Sequence, residues 1–109
     1  MVAPEQLASL DPFCAQAQVM SEAGTNLVVL SKLRIRVNGQ VHELDAVLCP
    51  STHSGYTTRL FLSQAFPQKG NNWTVHQLLG RKWHTWSWQG VPADLPLHQM
   101  LMCHLDALR

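Results

Sequence analysis

The sequence predicts one α+β domain over residues 1–109: an N-terminal helix, a four-stranded antiparallel meander, a long tryptophan-rich loop segment and a C-terminal helix. Three observations support this fold class. Apolar and polar residues alternate in several runs, an Asn-Gly pair joins two of those runs, and leucines recur at helical spacing near the C-terminus. With 109 residues, 46% of them hydrophobic, the chain is long enough for one core and too short for two.

The N-terminal helix is predicted from Pro4 to Leu10. Pro4 suits a first-turn position, and Glu5 complements the positive end of the helix. Asp11-Pro12 ends it. Residues 14–20 then alternate between two faces, which predicts a half-buried first strand.

The second and third strands are predicted at residues 26–37 and 40–49. Between them, Asn38-Gly39 is typical of a type I′ turn, because both central residues of that turn need positive φ. The pair therefore fixes an antiparallel hairpin, with Leu44, Ala46 and Leu48 expected to face the C-terminal helix. Residues 57–63 predict a short fourth strand.

Residues 68–90 have the composition of a long irregular segment, rich in Gly and Asn and holding all four tryptophans. Trp83, Trp86 and Trp88 are three and two residues apart, and no single period puts them on one side. One interpretation is a half-buried loop whose rings cap the core. The other is an aromatic, basic groove wall around His84. Composition alone does not separate the two.

The chain closes with a predicted helix that follows Pro92 and Pro96. Four leucines follow at spacings of four, four and three and predict a buried stripe on that helix: Leu97, Leu101, Leu105 and Leu108.

Charge and cysteine content exclude several classes of partner. Eight Lys and Arg against seven Asp and Glu give no excess charge for nucleic acid or anionic lipid, so we expect neither partner. The apolar runs are too short for a membrane span. Three widely separated cysteines favour reduced thiols over a disulfide framework. We expect a cytoplasmic protein without a cofactor.

Candidate chemistry rests on histidine and cysteine. The chain has six histidines, but no His or Cys pair recurs with the spacing of a metal site, so no metal is expected. Cys103 lies on the leucine-rich helix, where a thiol is typically a small buried hydrophobe; the alternative is that Cys103 is a nucleophile. No phosphate-binding glycine loop and no Ser/His/Asp constellation is visible.

The run Gly80-Arg81-x-Trp83-x-x-Trp86-Ser87, followed by Asp94 and a leucine-spaced helix, resembles the signature of a bacterial ubiquitin-conjugating-enzyme-like (UBC-like) family. The resemblance extends to Leu27–Leu30 with Leu33, and to Gly55-Tyr56. It implies a UBC-like fold and a role in a bacterial ubiquitin-like conjugation pathway, with antiphage defence as one setting. The implied partners are a ubiquitin-like protein and its adenylating activating enzyme.

The sequence departs from that family at the catalytic motif. The resemblance places His76 where a His-Pro-Asn motif would begin, but Gln77 and Leu78 follow it, and Trp83 takes the position of the catalytic cysteine. A tryptophan cannot carry a modifier as a thioester. The resemblance then implies either a subunit that binds the modifier or its activating enzyme without carrying it, or an enzyme that uses His76 or His84 as an acid or base.

The candidate binding residues are those of the tryptophan-rich segment: Arg81, Trp83, His84, Trp86 and Trp88. An alternative from another class remains open, namely a small α+β binding or assembly module unrelated to ubiquitin chemistry.

Overall fold

A computed structural model describes residues 4–51, 56–67, 73–86, 88 and 90–108. Gly55 and Ser87, two residues of the UBC-like resemblance, lie outside these ranges. The elements in chain order are α1 (Pro4–Ala8), β1 (Gln16–Glu22), β2 (Thr25–Val37), β3 (Gln40–Cys49), β4 (Arg59–Leu62), β5 (Trp73–Leu78), β6 (Arg81–Trp86) and α2 (Leu97–Leu105), and a 3₁₀ turn (Asp106–Leu108) extends α2.

The strands form one antiparallel sheet with the order β1-β2-β3-β4-β6-β5. The α+β class with an antiparallel sheet and a C-terminal helix is confirmed, but the part of the chain that the structure describes has six strands rather than four. The prediction of a loop over residues 68–90 is wrong for 73–86, which form the β5–β6 hairpin. Its two-residue turn is Leu79-Gly80, with φ of 53° and 76°. A leucine is a poor turn residue at positive φ, so local preference did not reveal the turn.

The predicted Asn38-Gly39 hairpin is confirmed. Val37 pairs with Gln40, and φ is 51° at Asn38 and 81° at Gly39, as a type I′ turn requires. Further along β2 the register shifts by one residue between Leu30 and Leu33. This bulge keeps the even-numbered apolar positions before it and the odd-numbered ones after it on the same face of the sheet.

Both faces of the sheet are apolar. The front face lies under α1 and α2, and the strands contribute to its buried core Val28, Leu30, Leu33, Ile35, Val37, Leu44, Ala46, Leu48, Leu60, Leu62 and Trp86. The back face carries a smaller buried cluster of Leu27, Val47, Cys49, Phe61, Leu78 and Trp83. Within the described ranges, no helix covers this second apolar layer.

Helix α2 buries the predicted leucine stripe against the front face. Leu97, Leu101, Leu105 and Leu108 are all buried, and they share one cluster with Leu44, Ala46 and Leu48 as predicted. The first N–H group of α2, at Leu97, donates to the side-chain carbonyl of Gln6 in α1 at 2.9 Å. The two helices are thus linked through an N–H group that has no acceptor within α2. No helix in the described ranges is long and apolar enough to cross a bilayer.

The back cluster is closed by the twist of the sheet. β1 and β5 are opposite edges, yet the Leu79 N–H in the β5–β6 turn donates to the Glu22 carboxylate at the end of β1, at 2.9 Å. A strongly twisted sheet brings diagonal corners together over one face. A cavity of about 270 Å³ lies at this contact, lined by Glu22, Ala23, Thr25, Leu27 and Leu78.

Candidate functional site

The two central tryptophans of the candidate segment belong to opposite faces of β6. Trp83 is 2% exposed in the back cluster, where its indole N–H donates to the Leu78 carbonyl at 3.0 Å. Trp86 is 1% exposed in the front core, 5.1 Å from the ring of Trp73. Each ring anchors one of the two cores, because neighbouring odd and even positions of a strand point to opposite sides.

Arg81 ties the β5–β6 hairpin to β3. Its guanidinium lies 4.4 Å from the centre of the Trp83 ring and 3.3 Å from a carboxylate oxygen of Asp45. The other oxygen of Asp45 accepts the Lys32 N–H at 3.1 Å, at the bulge in β2. The Arg81 and Asp45 side chains are 50% and 39% exposed, so this ion pair contributes little to stability.

The structure does not bring the two candidate histidines together. His84 lies on the front side of the β5–β6 hairpin and pairs across the strands with Val75. His76 lies on the back side, where its Nε2 is 3.1 Å from the Thr74 hydroxyl and its ring meets Phe61 edge-on at 5.6 Å. Two imidazoles on opposite faces of a sheet cannot act on one substrate atom.

Part of the hairpin's front side is left uncovered. Cross-strand pairing puts Val75 beside His84 and Gln77 beside Lys82, all on the face that carries Trp73 and Trp86. The two tryptophans are packed into the front core, whereas Val75 is 57% exposed, Gln77 and Lys82 are exposed, and His84 is half-buried. We call these four residues the hairpin patch: Val75, Gln77, Lys82 and His84.

Trp88 and Cys103 meet where the chain passes from β6 towards α2. The half-buried Trp88 donates its indole N–H to the backbone carbonyl of Cys103 at 3.1 Å. Trp88 is therefore oriented by α2 rather than by the other tryptophans. Arg81 begins β6 and Trp88 lies two residues past its end, so the predicted binding residues do not form one continuous groove wall.

The three thiols occupy different environments. Cys14 is buried, with its Sγ 3.4 Å from the Leu10 carbonyl, and burial followed by the charge of Asp11 raises its pKa. Cys49 is buried in the back cluster, and its Sγ donates to the Ser51 carbonyl at 3.3 Å. Cys103 is partly exposed on α2. Within the described ranges no group of three or more His, Cys, Asp and Glu side chains is arranged to hold a metal ion.

The sequence did not lead us to predict a buried chain of hydrogen bonds that includes His104. The Thr58 hydroxyl donates to the Val91 carbonyl at 2.9 Å and lies 2.9 Å from His104 Nε2. Since that hydroxyl proton is already used, Nε2 must carry the proton donated to Thr58. Burial, and then the charge of Arg59, lower the pKa of His104 to about 4. The signal was present: His104 lies three residues after Leu101, within the apolar stripe of α2.

Comparison with known proteins gives no match: no family model, no curated protein and no solved structure is similar to this chain.

Proposed function

We propose that this protein is a UBC-like component of a bacterial ubiquitin-like conjugation pathway that binds the modifier or its adenylating activating enzyme without carrying the modifier as a thioester. The observation that carries the non-catalytic role is the state of the thiols. All three cysteines lie in the described ranges, and Cys14 and Cys49 are buried. Thioester transfer needs an accessible thiolate of lowered pKa, whereas burial raises the pKa of Cys14.

Cys103 is the remaining thiol, and its neighbour in sequence is not available to act as its base. The adjacent imidazole, His104, is occupied by its hydrogen bond to Thr58 and is held neutral by burial. A neutral, buried imidazole neither stabilises a thiolate by charge nor reaches a substrate. We therefore expect Cys103 to stay unmodified when the activating enzyme, the modifier and ATP are present.

The described residues of the signature have structural roles. Gly80 occupies a turn position with φ of 76°, and Trp83 and Trp86 fill the two cores. Such residues determine the position of β6 in the sheet and do not supply a catalytic group. For binding we therefore assign the hairpin patch, which combines the exposed apolar Val75 with the basic Lys82 and with His84, the one predicted binding residue in the patch.

The test uses the purified protein with a bacterial ubiquitin-like protein and its adenylating activating enzyme. Co-purification should be lost in Val75→Asp and weakened at least several-fold in His84→Ala, while thermal unfolding stays unchanged. Val41→Asp is the matched control, because Val41 is likewise an exposed strand valine, 63% exposed, in a different hairpin. Equal loss in Val41→Asp and Val75→Asp would refute the assignment of the patch.

The same mixture with ATP, run on a non-reducing gel, tests the absence of a thioester. We expect no band shift. A shift that is abolished by reductant and by Cys103→Ala would make Cys103 a nucleophile and overturn the non-catalytic role.

The alternative of a binding or assembly module unrelated to ubiquitin chemistry is favoured by the two sheet edges. Edge strands β1 and β5 each carry an exposed apolar residue, Met20 at 41% and Val75 at 57%. Exposed edges can accept an added strand from a partner. Genes for phage-structural or toxin proteins beside this one, and no co-purification with a ubiquitin-like protein, would favour this alternative.

A further inference from the structure

The cavity on the back side of the sheet lies where two tight turns meet, the β1–β2 turn and the β5–β6 turn. Its volume is about 270 Å³, and five residues line it: Glu22, Ala23, Thr25, Leu27 and Leu78. They belong to two segments that the structure describes without a gap, 16–37 and 73–86. Ala23 is exposed, whereas Leu27 and Leu78 are buried in the back cluster. The cavity therefore runs from the protein surface to an apolar floor.

The pairing of β1 with β2 explains why this wall combines apolar and acidic side chains. Glu22 pairs with Thr25, and Met20 pairs with Leu27, so these four side chains share the back side of the sheet. Met20 is 41% exposed, which continues the apolar wall beyond Leu27 towards solvent. Glu22 is half-buried and is the one charged residue among the five that line the cavity.

One oxygen of the Glu22 carboxylate is held in place, and the other is left for a ligand. Oε2 accepts the Leu79 N–H at 2.9 Å across the diagonal of the sheet. Among the described residues no N–H or O–H group donates to Oε1, and the ion pair formed among them joins Arg81 to Asp45. Since the β5–β6 turn already orients the carboxylate, a cation that binds it meets a preorganised partner.

We propose that this cavity binds a primary ammonium group carried on a short apolar chain, with Glu22 accepting from the ammonium and with Leu27 and Leu78 contacting the chain. A compact ammonium needs one carboxylate oxygen, whereas a guanidinium pairs best with two, and the Leu79 N–H already occupies one. The volume equals that of about nine water molecules, which accommodates a chain of roughly five carbons. The site is independent of the proposed function, because it uses neither the hairpin patch nor a cysteine.

The test follows the backbone amide resonances of Ala23 and Leu79 by NMR at neutral pH while n-pentylammonium chloride is added. We expect both resonances to shift and to saturate together. Ammonium chloride has the charge without the chain, and 1-pentanol has the chain without the charge, so neither should saturate these resonances over the same concentration range. Saturation by ammonium chloride at equal concentration would overturn the role of the apolar chain.

Two variants with one control test the assigned residues. Glu22→Gln should weaken pentylammonium binding roughly tenfold or more, because its amide oxygen can still accept the Leu79 N–H but carries no charge. Thr25→Leu narrows the cavity while keeping Glu22, and it should also weaken binding. Glu43→Gln removes an exposed strand glutamate on β3 and should bind as the natural protein does. Thermal unfolding of each variant verifies that it is folded.

A peptide titration separates two sources of the ammonium group. A short peptide with blocked ends and one central lysine should saturate the same resonances if a lysine side chain of a partner enters the cavity, and its Nε-acetylated form should not. Saturation by pentylammonium but not by the lysine peptide would restrict the site to free amines. No saturable shift with pentylammonium would overturn the site. Equal binding of pentylammonium and 1-pentanol, unchanged in Glu22→Gln, would overturn the assignment of an ammonium ligand.

Discussion

His104 makes the stability of this domain depend on pH. Its imidazole is 1% exposed and bonded to the Thr58 hydroxyl, and burial followed by the charge of Arg59 lowers its pKa to about 4. In the unfolded chain the pKa returns to its ordinary value of about 6.5. Between these two values the unfolded state binds a proton that the folded state does not. The free energy of unfolding must therefore fall as the pH is lowered from 6.5 towards 4.

The magnitude follows from the difference between the two pKa values. A lowering from 6.5 to about 4 corresponds to a total loss of about 3 kcal/mol once the pH is below both values. Integrating the proton uptake between pH 7.5 and pH 5 gives a loss of about 2 kcal/mol. For a domain of this size such a loss is a large fraction of the total stability.

Urea denaturation at pH 7.5, 6.5, 5.5 and 5.0 measures this loss, with His104→Gln as the comparison. The glutamine amide can still donate to the Thr58 hydroxyl but does not titrate. The other five histidines are common to both proteins, so the difference between the two pH profiles isolates His104. We expect the natural protein to lose about 2 kcal/mol more than His104→Gln over this range. Parallel profiles would mean that His104 titrates normally, and the reasoning from its burial would fail.

Two further predictions concern the fold. Leu101→Ala should lower the free energy of unfolding by roughly 2–5 kcal/mol, because Leu101 is fully buried in the front core. The control is Met20→Ala at an exposed position, which should change this free energy by less than about 0.5 kcal/mol. Equal losses for the two variants in thermal or urea unfolding would place the leucine stripe of α2 at the surface. Gly39→Ala should cost roughly 1–2 kcal/mol through its φ of 81° alone, since an added Cβ would meet no atom within 4 Å, and a neutral result against Gln40→Ala would mean that the turn has relaxed to another type.

Local sequence signals were sufficient to predict the structure where the backbone or the packing requires a particular type of residue. Asn38-Gly39 determined the β2–β3 hairpin, because few residues accept positive φ at two successive positions. The leucine spacing determined which face of α2 is buried. The β5–β6 hairpin escaped prediction because Leu79 supplies its turn against local preference, held by the contact of its N–H group with Glu22.

By itself, then, the sequence determined the α+β class, the central hairpin and the buried stripe of the last helix, since each follows from contacts between near neighbours in the chain. Only the tertiary structure decided the rest. Trp83 and Trp86 are both buried because β6 lies between β4 and β5 in the sheet, and Arg59 and His104 are buried by elements that are distant from them in sequence. The pKa of His104 depends on burial and on the charge of Arg59, a residue far from it in sequence.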